Sequence, residues 1–420
     1  MQARRAVISV VSWGLALAVS GCGGSGSGSG SIPAMGSGTT VTVTFTGPIP
    51  VVVATQVGAG SFTSAAPSSQ VTFAVPSGTT KYAVAFLCPT AAGSPALNAE
   101  TVVEATIQDG TTLTESCFGS PSTATATGNA SSTIPGTTAL EVIGGAGSAV
   151  FSNPASFSLP MTVGANDVAV IANGGSGILG VKIVRSQTVP GVVGGSGIVL
   201  TPLADATTTQ SVTMTNVPAG FNPPNAVVNY HTANGTLFSL VNSASPTNPQ
   251  PYAVVPAAST QSGDFYHYFG VAGAPFPGTQ TLGMAMTTAS GGGVTLALPA
   301  PWAFSGPAPA KLPTFTFNYS GFSGQAMVED AALIVWSAGT TLINQIRVTA
   351  TANFQNSTAT ITVPDLSSLP GFLAPAPTGT TINWIADIFA GTPQVLTTLT
   401  NPPANASGSF VQNTGQFTQP

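Results

Sequence analysis

Two histidines, His231 and His267, are the first residues to test for catalysis, because the chain contains no other imidazole. A Ser, Thr or Cys nucleophile needs a neighbouring base, which is most often a histidine. Both histidines lie in strand-like segments, and no Gly-x-Ser-x-Gly elbow accompanies them. A zinc site would need at least one more ligand, and Asp264 is the only acidic residue between them. We therefore predict neither a catalytic nor a metal site, and place the histidines on a sheet surface or in hydrogen-bonded core positions.

The chain has 12 acidic residues that could supply paired carboxylates for general acid and base catalysis. Such a pair must be held about 5 to 10 Å apart to hydrolyse a glycosidic bond. The acidic residues are dispersed, and the only adjacent pair is Glu329-Asp330, whose side chains point to opposite faces of a strand. A calcium loop of alternating Asp and Asn is missing as well. We therefore expect solvated turn carboxylates and a chain that is not an enzyme.

One glycine-rich segment, residues 175–180, matches the G-x-G-x-x-G pattern of dinucleotide-binding proteins. That pattern binds a pyrophosphate only when a helix follows the glycines and directs its amino end at the ligand. Here the residues that follow are Val181-Lys182-Ile183-Val184, which are typical of a strand. The segment predicts a hairpin turn, and no cofactor is expected.

Aromatic side chains are the remaining candidates for ligand binding, since exposed rings form platforms for sugar faces and partner proteins. Trp302 is flanked by Pro and Ala, and we expect it to be exposed. Tyr266 and Tyr268 complete the candidate ligand-binding set. Trp336 and Trp384 lie within runs of branched apolar residues, which predicts burial in a sandwich core.

The first 22 residues have the three parts of an export signal: the cations Arg4 and Arg5, an apolar stretch over 6–19, and small residues before a cut. The apolar stretch is shorter than the roughly 20 residues that cross a bilayer. Its end, Leu17-Ala18-Val19-Ser20-Gly21-Cys22, resembles the lipobox of bacterial lipoproteins. The resemblance implies cleavage before Cys22, a thioether-linked diacylglycerol on its sulfur, and usually an acylated new amino terminus. An ordinary secretory signal with a chance Cys is the alternative.

The residues after Cys22 indicate how the chain is displayed. In lipoproteins of two-membrane bacteria, a residue other than Asp after the Cys usually directs sorting to the outer membrane, and Gly23 fits that pattern. Residues 23–31 read GGSGSGSGS, a flexible coil with a reach of roughly 15 to 20 Å. No later segment has 18 uninterrupted apolar residues. We therefore expect one lipid anchor on the bacterial cell envelope and no membrane span.

If Cys22 is lipidated, Cys88 and Cys117 are the remaining thiols. An even pair in an exported protein predicts a disulfide, because bonds between cysteines persist outside the cytoplasm. Two buried free thiols are the alternative, since pairing requires the two residues to meet in space.

Composition excludes several classes of protein. Charged residues make up 5% of the 420 residues, with 7 Lys+Arg and 12 Asp+Glu, where an ordinary soluble domain has about 25%. A nucleic-acid partner is not expected, because phosphate binding needs clustered cations. Intrinsic disorder is not expected either, since 43% of the residues are hydrophobic.

Alternation of β-branched residues predicts the fold class, as in Thr40-Val41-Thr42-Val43-Thr44-Phe45. Frequent Gly and Pro oppose long helices. A motif of a strand, a proline turn and a second strand occurs four times, and its prolines are Pro76, Pro160, Pro256 and Pro364. Their spacing matches small β-sandwich domains. The sequence therefore predicts an all-β chain of tandem antiparallel β-sandwiches.

The first copy of this motif has Phe73-Ala74-Val75-Pro76-Ser77-Gly78 before a Tyr-centred strand. This copy resembles the prealbumin-like sandwiches of the carboxypeptidase-regulatory-like group. The likeness covers about a dozen residues per copy and lacks that group's usual Thr-Asp-x-x-Gly turn, so immunoglobulin-like sandwiches are equally admissible. Modules of these kinds serve mostly as spacers or binding units. The expected boundaries are a signal peptide over 1–21, a lipidated Cys and linker over 22–38, sandwiches over 39–122, 123–205 and 206–304, a Pro/Ala linker over 305–313, and a fourth sandwich over 314–420.

These features together predict a lipid-anchored cell-envelope protein that acts without catalysis as a surface spacer, adhesin or assembly component. The alternative is a carbohydrate-binding surface lipoprotein that uses the second-half aromatics. Expected partners are the membrane, through the anchor, and glycans or envelope proteins.

Overall fold

The computed structural model describes most of the chain from Gly38 onward. The described residues form 27 strands, two four-residue helices and one 3₁₀ turn. The described residues are 38–91, 95–117, 123–145, 147–221, 224–241, 247–273, 280–289, 291–300, 304, 306–318, 327–355, 359–391 and 407–420. Within these residues, no helix has both the length and the apolar character that a membrane span requires. The all-β fold class predicted from the sequence, with tandem β-sandwiches, is confirmed.

The first unit forms because alternating Val and Thr give each strand one apolar and one hydroxyl-bearing face. Its small sheet has the order β4-β1-β7 and its large sheet the order β3-β2-β5-β6. The apolar faces meet in a core that includes Val43, Tyr82 and Phe86. The strands are β1 (Gly38–Thr46), β2 (Val52–Val57), β3 (Thr63–Ala65), β4 (Gln70–Pro76), β5 (Lys81–Leu87), β6 (Ala96–Thr106) and β7 (Thr112–Ser116).

The second unit repeats this connectivity with a small sheet β11-β8-β14 and a large sheet β10-β9-β12-β13. The predicted hairpin at 175–180 is present as the turn between β12 and β13. The strands are β8 (Thr123–Ser132), β9 (Thr137–Gly144), β10 (Gly147–Ser152), β11 (Ala155–Thr162), β12 (Gly164–Gly174), β13 (Gly177–Val189) and β14 (Gly191–Leu200), followed by the helix α1 (Pro202–Asp205).

The third unit has the small sheet β18-β15-β21 and the large-sheet order β17-β16-β19-β20. Its core is rich in tyrosine, and the Tyr252 and Tyr268 hydroxyls lie 3.0 Å apart within it. The strands are β15 (Thr208–Thr215), β16 (Asn225–His231), β17 (Leu237–Ser239), β18 (Gln250–Val254), β19 (Phe265–Gly273), β20 (Gln280–Ala289) and β21 (Val294–Ala297), with a 3₁₀ turn at Ala257–Ser259.

The fourth unit packs a two-stranded sheet, β22-β25, on the order β24-β23-β26-β27. Trp336 and Trp384 are both buried in its core, as the sequence predicted. The strands are β22 (Thr314–Thr316), β23 (Met327–Ser337), β24 (Leu342–Thr351), β25 (Thr360–Thr362), β26 (Thr381–Gly391) and β27 (Ser407–Thr418), and the helix α2 (Ala352–Gln355) follows β24.

The four recurring prolines occupy one topological position. Pro76 and Pro160 lie in β4 and β11, while Pro256 and Pro364 closely follow β18 and β25. Each of these is the edge strand of a small sheet and precedes the strand that lies in the middle of the large sheet. A proline is tolerated there because an edge strand leaves part of its backbone N–H groups unpaired.

The large sheets of the first, third and fourth units are not separate. They join in one 12-stranded sheet of order β17-β16-β19-β20-β27-β26-β23-β24-β6-β5-β2-β3. The third and fourth units meet through antiparallel β20 and β27, and the fourth and first through parallel β24 and β6. Backbone hydrogen bonds therefore link units that are far apart in sequence.

The cores of the first and fourth units lie on opposite faces of the joined sheet, and the change from one face to the other occurs at the β24–β6 pair. Val348 faces the core of the fourth unit, and its partner Val102 lies in that same core. The core of the first unit lies against the opposite face, which carries Val103. The sheet is therefore buried on both faces around this pair, which we call the seam.

A disulfide joins Cys88, just after β5, to Cys117, just after β7, as the sequence predicted. The two cysteines are 29 residues apart and their Cα atoms are 5.2 Å apart. The bond ties the large sheet of the first unit to its small sheet, and closing a loop of this length stabilises a fold by about 3 to 4 kcal/mol.

Candidate functional sites at the joints between units

Ionic side chains gather where units meet. Arg185, near the end of β13 in the second unit, reaches two aspartates: Asp167 of β12 and Asp264, which precedes β19 in the third unit. The carboxylates are almost completely buried, with side-chain exposures of 0% and 3%. In a chain with so few charges, this buried ion group is a specific contact between the second and third units. We call Arg185, Asp167 and Asp264 the arginine joint.

The guanidinium of Arg185 bridges the two units with geometry that a planar fork favours. Its Nη1 donates to Asp167 Oδ2 at 2.8 Å and to Asp264 Oδ1 at 3.1 Å. Its Nη2 donates to Asp264 Oδ2 at 2.6 Å and to the carbonyl oxygen of Ser259. The contact with Asp264 is bidentate, which fixes both the distance and the angle between the units.

Neutral donors satisfy the remaining carboxylate lone pairs. Asp167 Oδ1 accepts from the Ser186 backbone N–H and the Asn234 side-chain amide, each at 2.9 Å. Asp264 accepts from the Tyr230 hydroxyl and the Ala233 backbone N–H, each at 2.8 Å. Because Asn234 and Asp167 belong to different units, this second layer also crosses the joint.

At the arginine joint, hydrogen bonds offset the effect of burial on the ionised carboxylate of Asp167. Burial alone would raise the pKa of Asp167, but donors from Asn234, Ser186 and Arg185 outweigh it and lower that pKa. Burial and the adjacent Asp264 raise the pKa of Tyr230. The tyrosine therefore stays a neutral donor to Asp264.

The seam between the first and fourth units carries a different set of charges. On one face, the fully buried Glu100 of β6 accepts a hydrogen bond at its Oε2 from the Leu373 backbone N–H at 2.9 Å. Its Oε1 has no hydrogen-bond partner among the described residues. Burial raises the pKa of Glu100 to about 7, with a further contribution from Asp365 and an opposing one from the Leu373 hydrogen bond.

On the other face of the seam, three carboxyl groups interact electrostatically with one cation. Arg347 Nη2 lies 3.6 Å from Glu329 Oε1. Glu115 and Asp387 also interact electrostatically with Arg347. Burial raises the pKa of Glu329 to about 8, that of Glu115 to about 7 and that of Asp387 to about 6, and in each case Arg347 opposes the rise. We call Glu115, Glu329, Asp387 and Arg347 the seam cluster.

The two histidines lie side by side on the large sheet of the third unit, on the face opposite its tyrosine core. Their ring centroids are 5.7 Å apart, and the His231 ring stacks on Phe265 at 4.6 Å. Burial lowers the pKa of His267 to about 3, and His231 contributes to that decrease. The imidazole is therefore neutral at physiological pH. Among the described residues, no group of three His, Cys, Asp or Glu could hold a metal ion.

The structure does not present the two candidate tyrosines to a ligand. Tyr266 and Tyr268 are buried in the core of the third unit, where the Tyr266 hydroxyl accepts from the Val255 backbone N–H at 2.9 Å. Their expected role as exposed rings fails because alternation along β19 turns both toward the small sheet. Trp302 and Cys22 lie outside the described residues.

Sequence reasoning missed the arginine joint and the seam. The arginine joint had a usable signal, since Asp167 and Arg185 interrupt apolar strand segments in a chain with few charges. The seam had none, because strand pairing between units uses backbone groups that every residue carries.

Comparison with protein-family models and with curated proteins finds no match for this sequence.

Proposed function

We propose that the chain is a lipid-anchored cell-envelope protein that acts without catalysis as a surface spacer, adhesin or assembly component. The observation that carries this proposal is the joining of the units. A 12-stranded sheet runs through three of them, and the arginine joint binds the second unit to the third. Structure of this kind holds surfaces at fixed separations, which a spacer or adhesin requires.

The amino-terminal residues supply the attachment. A diacylglycerol on Cys22 together with an acylated amino terminus gives lasting membrane association, whereas one chain binds only marginally. The Gly/Ser segment over 23–31 then separates the sandwiches from the lipid surface. The outer membrane is the proposed location, and the membrane itself is the proposed partner.

The anchor is tested by labelling cells with radioactive palmitate. We expect label in the wild-type chain and in the control variant Ser25→Ala, and none in Cys22→Ala, which should move from the membrane fraction to the soluble fraction. Unmodified wild-type protein in the growth medium would contradict the proposal.

The non-catalytic role is tested with variants in cells lacking the gene. Arg185→Leu should remain lipidated but reduce cell attachment or envelope integrity, because it breaks the arginine joint. His267→Gln should retain full function. If only His267→Gln lost function while the protein was still displayed, the imidazole would have a catalytic role.

The carbohydrate-binding alternative depends on Trp302, since the other two members of its aromatic set are buried. No observation on the described residues favours it over the structural role.

A further inference from the structure

The two joints differ in the balance of charge. At the arginine joint, one cation is in direct contact with both carboxylates and neutral donors occupy the remaining lone pairs. At the seam, carboxyl groups outnumber the cations that face them. Partly compensated carboxyls in a buried contact bind protons more tightly than carboxyls in water.

The first face of the seam has two glutamates. Glu100 faces the segment after Pro364, where Asp365 adds negative charge and the exposed Lys311 lies 3.8 Å from Asp365. Glu104, four residues further along β6, faces Lys81 of β5, whose ammonium lies over the Phe354 ring of α2. Lys81 offsets part of the burial cost for Glu104, while Glu100 has only the Leu373 N–H.

The second face is the seam cluster, which brings together β7 of the first unit and β23, β24 and β26 of the fourth. Glu115, Glu329 and Asp387 share Arg347, and Asp330 on the opposite face of β23 adds negative charge at Glu329. Gln412 donates to Asp387 Oδ1 at 3.0 Å. One guanidinium therefore compensates three carboxyl groups contributed by two units.

We propose that the seam is an acid-tightened joint, in which Glu100 and the seam cluster take up protons when the first and fourth units pair through β6 and β24 and release them when that pairing opens. The inference concerns the folded chain alone and holds whether or not Cys22 is lipidated.

The sign of the pH dependence follows from linkage. Burial in the folded chain raises the pKa of Glu100 to about 7 and that of Glu329 to about 8, from the ordinary glutamate value of 4.5. We attribute this rise to the docked seam. A raised pKa means that the docked state holds more protons, so its stability is full below about pH 4.5 and falls as the pH rises toward 7 to 8. The arginine joint has the opposite sign, because the pKa of Asp167 is lowered and its contribution is lost only in acid.

The test is hydrogen exchange by mass spectrometry on the mature chain in detergent, corrected for the intrinsic effect of pH on exchange. We expect the opening constant of peptides from β6 and β24 to rise by at least about 100-fold between pH 5 and pH 8. Peptides from β12 and β13 should change by less than about threefold over the same range, because the lowered pKa of Asp167 confines its effect to acid.

Two isosteric variants locate the effect. Glu100→Gln and Glu329→Gln should each reduce the pH-dependent rise at the seam by at least about tenfold while keeping volume and shape. Glu141→Gln is the matched control, because burial also raises the pKa of Glu141 but the residue lies on β9 in the second unit. An equal pH response in both sets of peptides, or an unchanged response in both seam variants, would overturn the proposal.

Discussion

At the scale of single residues, the arginine joint shows why Arg rather than Lys bridges the second and third units. A guanidinium offers five donors in a fixed plane and stays charged when partly buried. Arg185 uses that plane to contact two carboxylates and a carbonyl from two units at once. A lysine ammonium has one nitrogen and could not make the bidentate contact with Asp264.

Replacing Arg185 with Leu should destabilise the chain by about 3 to 5 kcal/mol, because it leaves two buried carboxylates without their cation. The measurement is the free energy of unfolding in urea. Lys311→Ala is the control, since its ion pair with Asp365 is exposed and 3.8 Å long, and exposed pairs contribute about 0 to 1 kcal/mol. Similar losses in the two variants would show that the arginine joint contributes nothing special.

At the scale of strands, the close approach of a neighbouring ring explains one glycine of the fourth unit, Gly415. A Cβ placed on Gly415 of β27 would lie 2.5 Å from Cζ2 of Trp384, its cross-strand neighbour on β26. The Trp384 ring is packed in turn against Phe304 and Phe315. A shift of the ring would therefore disturb its contacts with both phenylalanines.

Gly415→Ala should therefore cost about 1 to 3 kcal/mol through overpacking at Trp384. Thermal unfolding monitored by tryptophan fluorescence checks both the loss and its location. Gly175→Ala is the matched control, because a Cβ there would meet nothing within 4 Å. Equal melting temperatures for the two variants would mean that the Trp384 ring yields easily.

At the level of strands, the sequence predicted some features of the fold and missed others. Alternating Val and Thr predicted the strands and their apolar faces, and the strand after the Gly175 turn predicted the hairpin of β12 and β13. The pairing of β6 with β24 was out of reach, since Val102 and Val348 meet through backbone bonds that carry no residue code. The burial of Tyr266 and Tyr268 was missed because alternation gives two faces without saying which one the small sheet covers.

At the scale of the whole molecule, the joined sheet solves the problem of exposed edges in a chain with few lysines. Its two outermost strands, β3 and β17, have three residues each, and very short edge strands discourage pairing with other chains. The long strands β6 and β20 are interior because the fourth unit lies between them. The fourth unit therefore protects both the first and the third.

Removing the fourth unit should convert these interior strands into edges. We expect a chain of residues 38–304 to self-associate at concentrations where residues 38–420 remain monomeric, as measured by light scattering. The second unit alone, residues 123–205, is the control, because its large sheet is not part of the joined sheet. A monomeric 38–304 chain would show that the β6 and β20 edges need no cover.

The parallel pairing of β1 with β7 in the first unit has a mechanical consequence. The chain enters this pair at Gly38 and leaves it at Cys117, toward the second unit. Tension applied at these opposite ends of two parallel strands loads all their hydrogen bonds in shear rather than peeling them one at a time. The Cys88–Cys117 disulfide fastens the exit point to the large sheet. The small sheet of the first unit is thus arranged to resist tension applied between its two ends.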